Sequence, residues 1–474
     1  MFQHHILKTL LIGLVMLLFA CKKEDQNFQY EKLNEITIKT DTLNFSVTQL
    51  DTLKIIPTIT ESLPDGTQMD YEWKIYAQTG TNASAIVLSN DKLLNAEITL
   101  SPDNYFLQFK VTNKSNNVSK YAIYNVSVNG AFYEGWLVSN NHGGNAHLSF
   151  LREDDVILHS AAAAVNNKIY PGNALSAYSA TGFNMAVVMF FTDQGVYRLN
   201  ANDFVQNAST IGVFTGGMQF SGSPVYGLNK FESDQYIVNN GGLYAGLGAA
   251  FYPGEVLQPF SDRFPGDYSL FPTVIASSQG GTYFYDNKYK RFLDVSYTGR
   301  TLNVSSGSAA AAFDLSNVGM TMVACDLGVQ SYSDDEYFFV MQGTSSRYLL
   351  SLKGTIPGMN QQILNSPEIA SAVHFATSSV VKQMYYATDS KIYLYDMLAN
   401  SSRVVYTFPT GSKISSLKML RSTSKRIVAA VNTSAGGSVY YFDLDNTGDL
   451  IGNTYSNKFD GFGQISGLSY RNPS

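Results

Sequence analysis

A strand-turn-strand pattern repeats along most of the chain. In its clearest copy, Met384 to Asp396, two short aromatic and aliphatic runs flank the polar turn Thr-Asp-Ser, a pattern that predicts a β-hairpin. Related copies occur at Val187 to Leu199 and at Val428 to Leu444, and four looser copies lie between or before them. A chain built largely of such hairpins is expected to be all-β.

The spacing of these copies predicts how the hairpins are arranged. The first strands of the hairpins are about 43 to 55 residues apart, which is the length of a four-stranded propeller blade. There are about seven copies, so the sequence predicts a seven-bladed β-propeller over residues 130–474. The anchoring residues are Trp136, Val188, Ile237, Tyr283, Phe338, Tyr385 and Val428.

The C-terminus resembles the beginning of a blade. The run from Ile414 to Leu417, which precedes the Val428 hairpin, is echoed by the run from Ile465 to Leu468, after which no further hairpin follows. The first hairpin, at Trp136, lacks such a leading strand. We therefore expect the C-terminal strand to pair with the first blade and to remove two free sheet edges.

Residues 34–129 have a different pattern, with short alternating strands and turn signals. About 100 residues with this pattern predict a β-sandwich. Trp73 lies in the middle of one strand, as in immunoglobulin-like domains, although no cysteine pair accompanies it, and we expect it to pack in the core. The six predicted strands are Ile36 to Ile38, Leu43 to Val47, Leu53 to Pro57, Tyr71 to Tyr76, Tyr105 to Thr112 and Tyr121 to Val128.

Composition limits the classes of partner. The 474 residues suffice for two or three domains, and 15% charged with 13% aromatic residues fits a rigid β-rich protein. The formal net charge is -6 and no basic cluster is present, which argues against nucleic acid as a partner. The sequence indicates no cofactor.

The N-terminus has the character of a targeting segment. An apolar run from Leu10 to Ala20 ends directly at Cys21 and resembles a bacterial lipobox, so we expect residues 1–20 to be a lipoprotein signal peptide. Acyl chains on Cys21 would anchor the protein to a membrane, and residues 21–33 would form a tether. The run from Lys22 to Asp25 resembles the signal that directs Bacteroidetes lipoproteins to the outside of the outer membrane. Cys325 is then the single remaining thiol and is expected in a buried strand.

Candidate metal ligands have simpler structural interpretations. His142 and His147 are close in sequence, but His147 occupies the position of a repeated tyrosine, so we expect no metal there. Oxygen-bearing residues alternate along Asp443 to Asp449, as in calcium loops, yet the position twelve along is Thr454, and a polar turn is the favoured interpretation over a calcium site. No catalytic motif is evident, although carboxylate-based chemistry leaves no local motif.

Two segments are longer than a connection between blades requires. They are Ala161 to Gly182 and the aromatic, proline-rich segment Phe251 to Pro272. Long loops on a rigid scaffold often bind ligands, whereas aromatic residues can also fill the space between sheets. The candidate ligand-binding residues are Tyr252, Phe260, Arg263, Phe264 and Tyr268.

The lipobox, the acidic export signal, the Trp73 sandwich and the sevenfold repeat together resemble the PKD-like family lipoproteins of Bacteroidetes. The resemblance implies a PKD-like or immunoglobulin-like sandwich and a place beside SusC-like and SusD-like components of a nutrient transporter. It leads to the hypothesis of a lipid-anchored protein on the extracellular side of the outer membrane that binds peptide or oligosaccharide and is not an enzyme. A propeller hydrolase or lyase acting on polysaccharide or protein, and a structural subunit that only docks on the transporter, remain alternatives.

Overall fold

A computed structural model describes most of the chain. The described residues are 34–64, 66, 68–78, 84–182, 185–214, 217–246, 259–276, 281–296, 301–329 and 335–472. They fall into two compact units, with the division between Val128 and Asn129. In the described part of both units the regular secondary structure is almost entirely β-strand, which confirms the predicted all-β class.

The described part of the N-terminal unit contains nine strands. Six of them correspond to the six predicted strands, and β4, β6 and β7 were not predicted because each has only four residues and weak alternation. The strands are β1 Ile36–Lys39, β2 Asn44–Thr48, β3 Thr52–Ile55, β4 Thr58–Glu61, β5 Met69–Ala77, β6 Ile86–Ser89, β7 Leu94–Glu97, β8 Asp103–Asn113 and β9 Ser119–Asn129.

These strands form a sandwich with Trp73 at its centre. A five-stranded sheet in the order β2-β9-β8-β5-β6 shares its core with the two-stranded sheets β1-β4 and β3-β7. The Trp73 indole is fully buried and stacks on Phe109 with the ring centroids 3.9 Å apart. Its Nε1 donates a hydrogen bond to the carbonyl oxygen of Asp91 at 3.0 Å, which satisfies the polar atom of this buried side chain. The predicted core role of Trp73 is confirmed.

The described part of the C-terminal unit contains seven sheets, numbered here in chain order. Each holds one of the seven predicted hairpins. The first sheet includes β10 Gly135–His142, β11 Asn145–Arg152, β12 Ile157–Leu158 and β13 Tyr170–Pro171. The second is formed by β14 Ala174–Gly182, β15 Met185–Thr192, β16 Gly195–Asn200 and β17 Gln206–Ser209. The third is formed by β18 Val225–Leu228, β19 Gln235–Asn239 and β20 Gly242–Gly246.

The last four sheets each have four antiparallel strands in chain order. The fourth sheet is formed by β21 Ile275–Ala276, β22 Gly281–Asp286, β23 Arg291–Ser296 and β24 Asn303–Val304, and the fifth by β25 Thr321–Leu327, β26 Glu336–Gln342, β27 Arg347–Lys353 and β28 Ile356–Gln362. The sixth sheet is formed by β29 His374–Thr377, β30 Gln383–Ala387, β31 Lys391–Asp396 and β32 Ser401–Thr407. The seventh is formed by β33 Lys413–Met419, β34 Arg426–Thr433, β35 Gly436–Asp443 and β36 Asn457–Phe462.

The C-terminal strand belongs to the first sheet. The strand β37, Gln464–Arg471, pairs antiparallel with β10, so that Trp136 lies opposite Tyr470 and Val138 lies opposite Leu468. The first sheet therefore has the order β12-β11-β10-β37. The predicted pairing of the last strand with the Trp136 hairpin is observed, and β37 takes the edge position that β14, β18, β21, β25, β29 and β33 take in the other sheets.

Consecutive sheets share hydrophobic cores, and the seventh sheet shares one with the first. Adjacent residues of a strand point to opposite faces of its sheet, so Tyr385 packs towards the seventh sheet while Tyr386 packs towards the fifth. Trp136 and Val428 meet in the core between the seventh and first sheets. The repeated aromatic residues thus fill the spaces between neighbouring sheets.

Among the described residues, two short helices interrupt the strands, α1 Ala161–Asn166 and α2 Thr210–Val213, together with 3-10 turns at Ile369–Ser371 and Ile451–Asn453. The interpretation of Ala161 to Gly182 as one long connection was therefore wrong in part. This segment contains α1, β13 and the whole of β14, whose small residues gave little strand signal in the sequence. Within the described ranges, no helix is both long and apolar enough to cross a membrane.

Candidate functional site

A cavity of about 280 Å³ lies where the edge strands of the seven sheets converge. We call β37, β14, β18, β21, β25, β29 and β33 the leading strands. Six of them, together with the segment just before β21, line this cavity, so every sheet contributes to its wall. The lining residues that the argument uses are Tyr178, Ser223, Cys325, His374, Ser415 and Lys418.

Small polar side chains allow the leading strands to approach one another. Ser176 on β14 donates a hydrogen bond from Oγ to the carbonyl oxygen of Pro224, next to β18, at 2.6 Å. Ser469 on β37 likewise donates to the carbonyl oxygen of Ala177 on β14 at 2.6 Å. A serine hydroxyl can thus satisfy an edge carbonyl of the neighbouring sheet, which explains the serine residues at these two positions of β14 and β37.

Lys418 supplies a positive charge to the cavity. Its side chain is exposed to the cavity but enclosed by the surrounding sheets, and this desolvation lowers the pKa of its ammonium group while the charge of Asp326 acts in the opposite direction. Within the described part of the chain, Lys418 forms no ion pair.

The carboxylate of Asp326, whose charge acts on Lys418, forms an ion pair with another residue. Asp326 accepts a hydrogen bond from Arg421 at 2.5 Å and, through its second oxygen, one from the backbone N–H of Thr377 at 2.7 Å. Asp326 lies on β25, Thr377 on β29 and Arg421 just after β33, so this pair links the fifth, sixth and seventh sheets. Because Asp326 is paired with Arg421, it forms no ion pair with Lys418, and its charge acts on Lys418 only from a greater distance.

His374 is uncharged in the folded protein at neutral pH. Burial lowers the pKa of its imidazole to about 4, and the positive charge of Lys418 acts in the same direction, while a hydrogen bond with the backbone of Ile414 opposes the shift. The cavity therefore presents a neutral imidazole beside the ammonium group.

Cys325 and Tyr178 also contribute neutral groups. Burial raises the pKa of the Cys325 thiol to about 12 and that of the Tyr178 hydroxyl to about 12. Cys325 lies on β25, as expected for a strand cysteine, and it is half-buried because one side of it borders the cavity. Neither group ionises near neutral pH, so Lys418 is the charged residue of the lining.

The residues proposed from the long aromatic segment have other contacts. Phe260 is buried between the second and third sheets, and Phe264 and Tyr268 are buried between the third and fourth. The Tyr268 hydroxyl donates to the carbonyl oxygen of Phe264 at 2.6 Å, and the Arg263 guanidinium lies over the Tyr268 ring at 4.2 Å. Tyr252 lies outside the described residues. Four of the five candidates thus take part in packing, because large aromatic side chains fill the space between sheets.

The histidine pair near the first hairpin belongs to a hydrogen-bonded turn. His147 on β11 lies opposite Asn140, the same register position that Tyr197 occupies opposite Phe190. Its Nδ1 is 2.8 Å from Oγ of Ser160, and its Nε2 is 3.3 Å from the carbonyl oxygen of His142. Across the described ranges, no group of three or more His, Cys, Asp or Glu side chains has the arrangement of a metal site.

The acidic segment from Asp443 to Asp449 is a turn whose carboxylates have protein partners. Asp443 accepts a hydrogen bond from Nε of Arg426 at 2.7 Å. Asp449 accepts from Nη2 of Arg403 with both carboxylate oxygens at 2.8 Å, and from Nε of Arg403 at 3.1 Å. Asp445 accepts the backbone N–H of Thr447 at 2.8 Å within the turn itself. These contacts support the polar-turn interpretation.

The convergence of the leading strands was not anticipated from the sequence. Lys418, His374 and Cys325 are more than forty residues apart from one another in the chain and share no local motif. The available signal was the similarity between Ile414 to Leu417 and Ile465 to Leu468, which marks equivalent positions in two sheets. Applied to every sheet, that equivalence would have identified the strands that line the cavity.

Solved structures with similar folds have very low sequence identity. A quinonprotein alcohol dehydrogenase-like protein from Bacteroides thetaiotaomicron is 12% identical, with 90% of this chain and 96% of that chain covered and a TM-score of 0.46. An oligogalacturonate lyase from Vibrio parahaemolyticus is 8% identical, with 74% of this chain and 100% of that chain covered and a TM-score of 0.43. Likeness at this level carries no argument about activity. No curated protein matches the sequence.

A family model matches the N-terminal part of the chain. The match covers residues 21–173, which include the Trp73 sandwich and the first hairpin of the C-terminal unit. The PKD-like part of the expected resemblance is thus confirmed for this segment. Residues 21–173 match the PKD-like family.

Proposed function

We propose that this protein is a lipid-anchored binding protein of the outer cell surface that holds a small ligand in the cavity between its seven sheets. The observation that carries the proposal is the cavity itself, to which every sheet contributes and into which Lys418 directs a charge that has no ion-pair partner among the described residues. A concave site with apolar walls and a few polar groups is typical of ligand binding.

The proposal includes the interpretation of the seven sheets as blades of a propeller closed by β37. Support comes from the seven shared cores, one of which joins the seventh sheet to the first. Further support comes from the pairing of β37 with β10. In such a ring the leading strands surround a central channel, which corresponds to the position of the cavity.

The proposed surface location is based on the sequence. The apolar run ending at Cys21 and the following Lys22 to Asp25 lie outside the described residues, and they carry the lipobox and export-signal resemblances. We infer a role beside a SusC-like and SusD-like transporter, with peptide or oligosaccharide as the ligand class.

The titratable groups of the cavity favour binding over covalent catalysis. A thiol whose pKa is raised to about 12 is a poor nucleophile at neutral pH, because the thiolate is the reactive form. A desolvated ammonium group beside neutral hydroxyl groups is instead suited to holding an anionic or polar ligand. The hydrolase or lyase alternative would need reactive groups elsewhere in the protein.

Isolation of the intact protein from membranes tests this proposal. The full chain, extracted from its native membranes with a mild detergent, is expected to carry a small molecule and to co-purify with a transporter subunit, both identified by mass spectrometry. A protein found in the soluble fraction, without acylation at Cys21 and without a bound molecule, would refute the proposal. Recovery of a transporter subunit with no bound molecule would instead support the structural-subunit alternative.

A further inference from the structure

We propose that the cavity binds the carboxylate group of its ligand through Lys418, an inference that rests on the proposed binding function. Lys418 is on β33, and the wall around it includes residues from all seven sheets. The ligand class that this chemistry selects is a small monoanion with a carboxylate end.

The charge balance of the cavity is the first argument. Asp326 and Arg421 neutralise each other at 2.5 Å, and among the described residues Lys418 has no ion-pair partner. The lining residues of the cavity include no Asp or Glu. An enclosed ammonium group that has lost part of its hydration gains from an opposite charge, because the attraction is stronger in a region of low dielectric constant. The ammonium group of Lys418, which has no ion-pair partner among the described residues, can therefore bind one carboxylate of a ligand.

The neutral donors of the lining are the second argument. The hydroxyl groups of Tyr178 and Ser223 form no hydrogen bond to another described residue, and both residues line the cavity. Because burial raises the pKa of Tyr178 to about 12, its hydroxyl group stays protonated and can donate a hydrogen bond. A carboxylate accepts several such bonds, so these donors and Lys418 have matching chemistry.

The apolar part of the cavity wall and the cavity volume limit the size and polarity of the rest of the ligand. Apolar side chains from Val225, Phe271, Val323, Phe375 and Leu417 border the same space. The volume of about 280 Å³ is close to the lower end of the size range of small-ligand pockets. The cavity therefore has room for the end group of a ligand rather than for a long chain. Two sources supply such a group, namely the C-terminal carboxylate of a peptide and the carboxylate of a uronic acid.

Two pairs of probes distinguish these sources. Within each pair, one probe has a carboxylate and the other is its neutral counterpart. The first pair is N-acetyl-trialanine and its C-terminal amide, and the second is galacturonic acid and galactose. Calorimetric titration of the purified full chain measures the dissociation constant for each. The variants are Lys418→Met and the matched control Lys353→Met, which removes an exposed lysine at the end of β27, outside the cavity.

The expected result is that the acid of at least one pair binds about tenfold or more tightly than its neutral partner. Lys418→Met is expected to lose that preference, whereas Lys353→Met keeps it. The pair that shows the preference identifies the source of the carboxylate. Melting temperatures of the two variants within a few degrees of the wild type establish that the loss of binding is local.

Three outcomes overturn the inference. They are equal binding of acid and neutral probe in both pairs, an unchanged preference in Lys418→Met, and absence of binding by all four probes. Equal binding of acid and neutral probe leaves the proposed binding function intact, because the cavity then binds without using the charge. Failure of the binding function itself would be recognised separately, by the absence of any bound molecule in the protein isolated from membranes.

Discussion

His374 illustrates how the chemistry of single residues depends on the convergence of the sheets. Its imidazole lines the cavity, and the positive charge of Lys418 contributes to the lowering of the imidazole pKa, although 44 positions separate the two residues in the chain. Local sequence around His374 gives no indication of this. The position of His374 in a strand of the sixth sheet does not explain its lowered pKa, whereas its position in the cavity wall does.

We predict that His374 makes the protein less stable in mild acid. Its pKa is about 4 in the folded protein and about 6.5 in the unfolded chain, so above pH 6.5 it has no effect on stability. As the pH falls from 6.5 towards 4, the unfolded chain binds a proton that the folded protein does not, and stability is lost. Because the side chain is half-buried, we discount the full shift to a loss of about 1–2 kcal/mol.

Urea unfolding at pH 7 and at pH 4.5 measures this effect. The His374→Asn variant is expected to lose less stability between the two pH values than the wild type does. The exposed His142→Asn variant is the matched control and is expected to behave as the wild type. Equal losses in wild type and His374→Asn would show that His374 is protonated normally in the folded protein.

A residue type that repeats along the chain can be assigned to a structural position from the sequence, whereas the surroundings of a residue outside the repeat cannot be derived in this way. His147 was assigned to a structural position because tyrosines recur at that position, and the register agrees. Phe260, Phe264 and Tyr268 were considered for ligand binding because they lie in a long segment between repeats. Their burial depends on contacts with neighbouring sheets, which the sequence of the segment does not contain.

At the scale of elements, the hairpins were predictable, whereas among the leading strands only β33 and β37 were predicted. A hairpin such as β30-β31 has strong alternation on both strands, and its period is determined by the two buried faces of the sheet. A leading strand such as β14 has the sequence Ala-Leu-Ser-Ala-Tyr-Ser-Ala-Thr-Gly, in which small residues hide the alternation. Small residues are required there because the seven strands approach one another, and this requirement exists only in the assembled fold.

The strand β37 connects the two ends of the C-terminal unit through Arg471. The Arg471 side chain is buried, and its guanidinium donates to the carbonyl oxygen of Phe132, to Oδ1 of Asn202 at 3.1 Å and to Oγ of Ser179 at 3.4 Å. These acceptors precede β10, follow β16 and lie on β14, so one side chain joins the last strand to the first two sheets.

We predict that Arg471→Met destabilises the protein by about 2–4 kcal/mol, because it leaves buried acceptors without donors. The control is Arg403→Met, which removes an exposed ion pair with Asp449 and is expected to cost at most about 1 kcal/mol. Free energies of unfolding from urea titrations of both variants provide the comparison. Losses of the same size would contradict the assigned role of Arg471.

At the scale of the whole molecule, the sequence contained the number of hairpins and the pairing of the last strand. The cavity could not be predicted from the sequence. Lys418, His374 and Cys325 lie on three different sheets, and they line one cavity only in the assembled fold. The repeat in the sequence corresponds to the hairpin that all seven sheets share. The function we propose depends on the side chains in which the leading strands differ.

Filling the cavity tests the central claim most directly. In the Ser415→Trp variant an indole replaces a hydroxymethyl group on the cavity wall, and in the control Leu398→Trp the indole replaces a side chain that is 83% exposed. Native mass spectrometry of the membrane-extracted proteins measures the fraction that carries a bound small molecule. We predict that the wild type and Leu398→Trp carry the molecule and that Ser415→Trp, with a normal melting temperature, does not. Equal occupancy in all three proteins would contradict the assignment of the cavity as the ligand site.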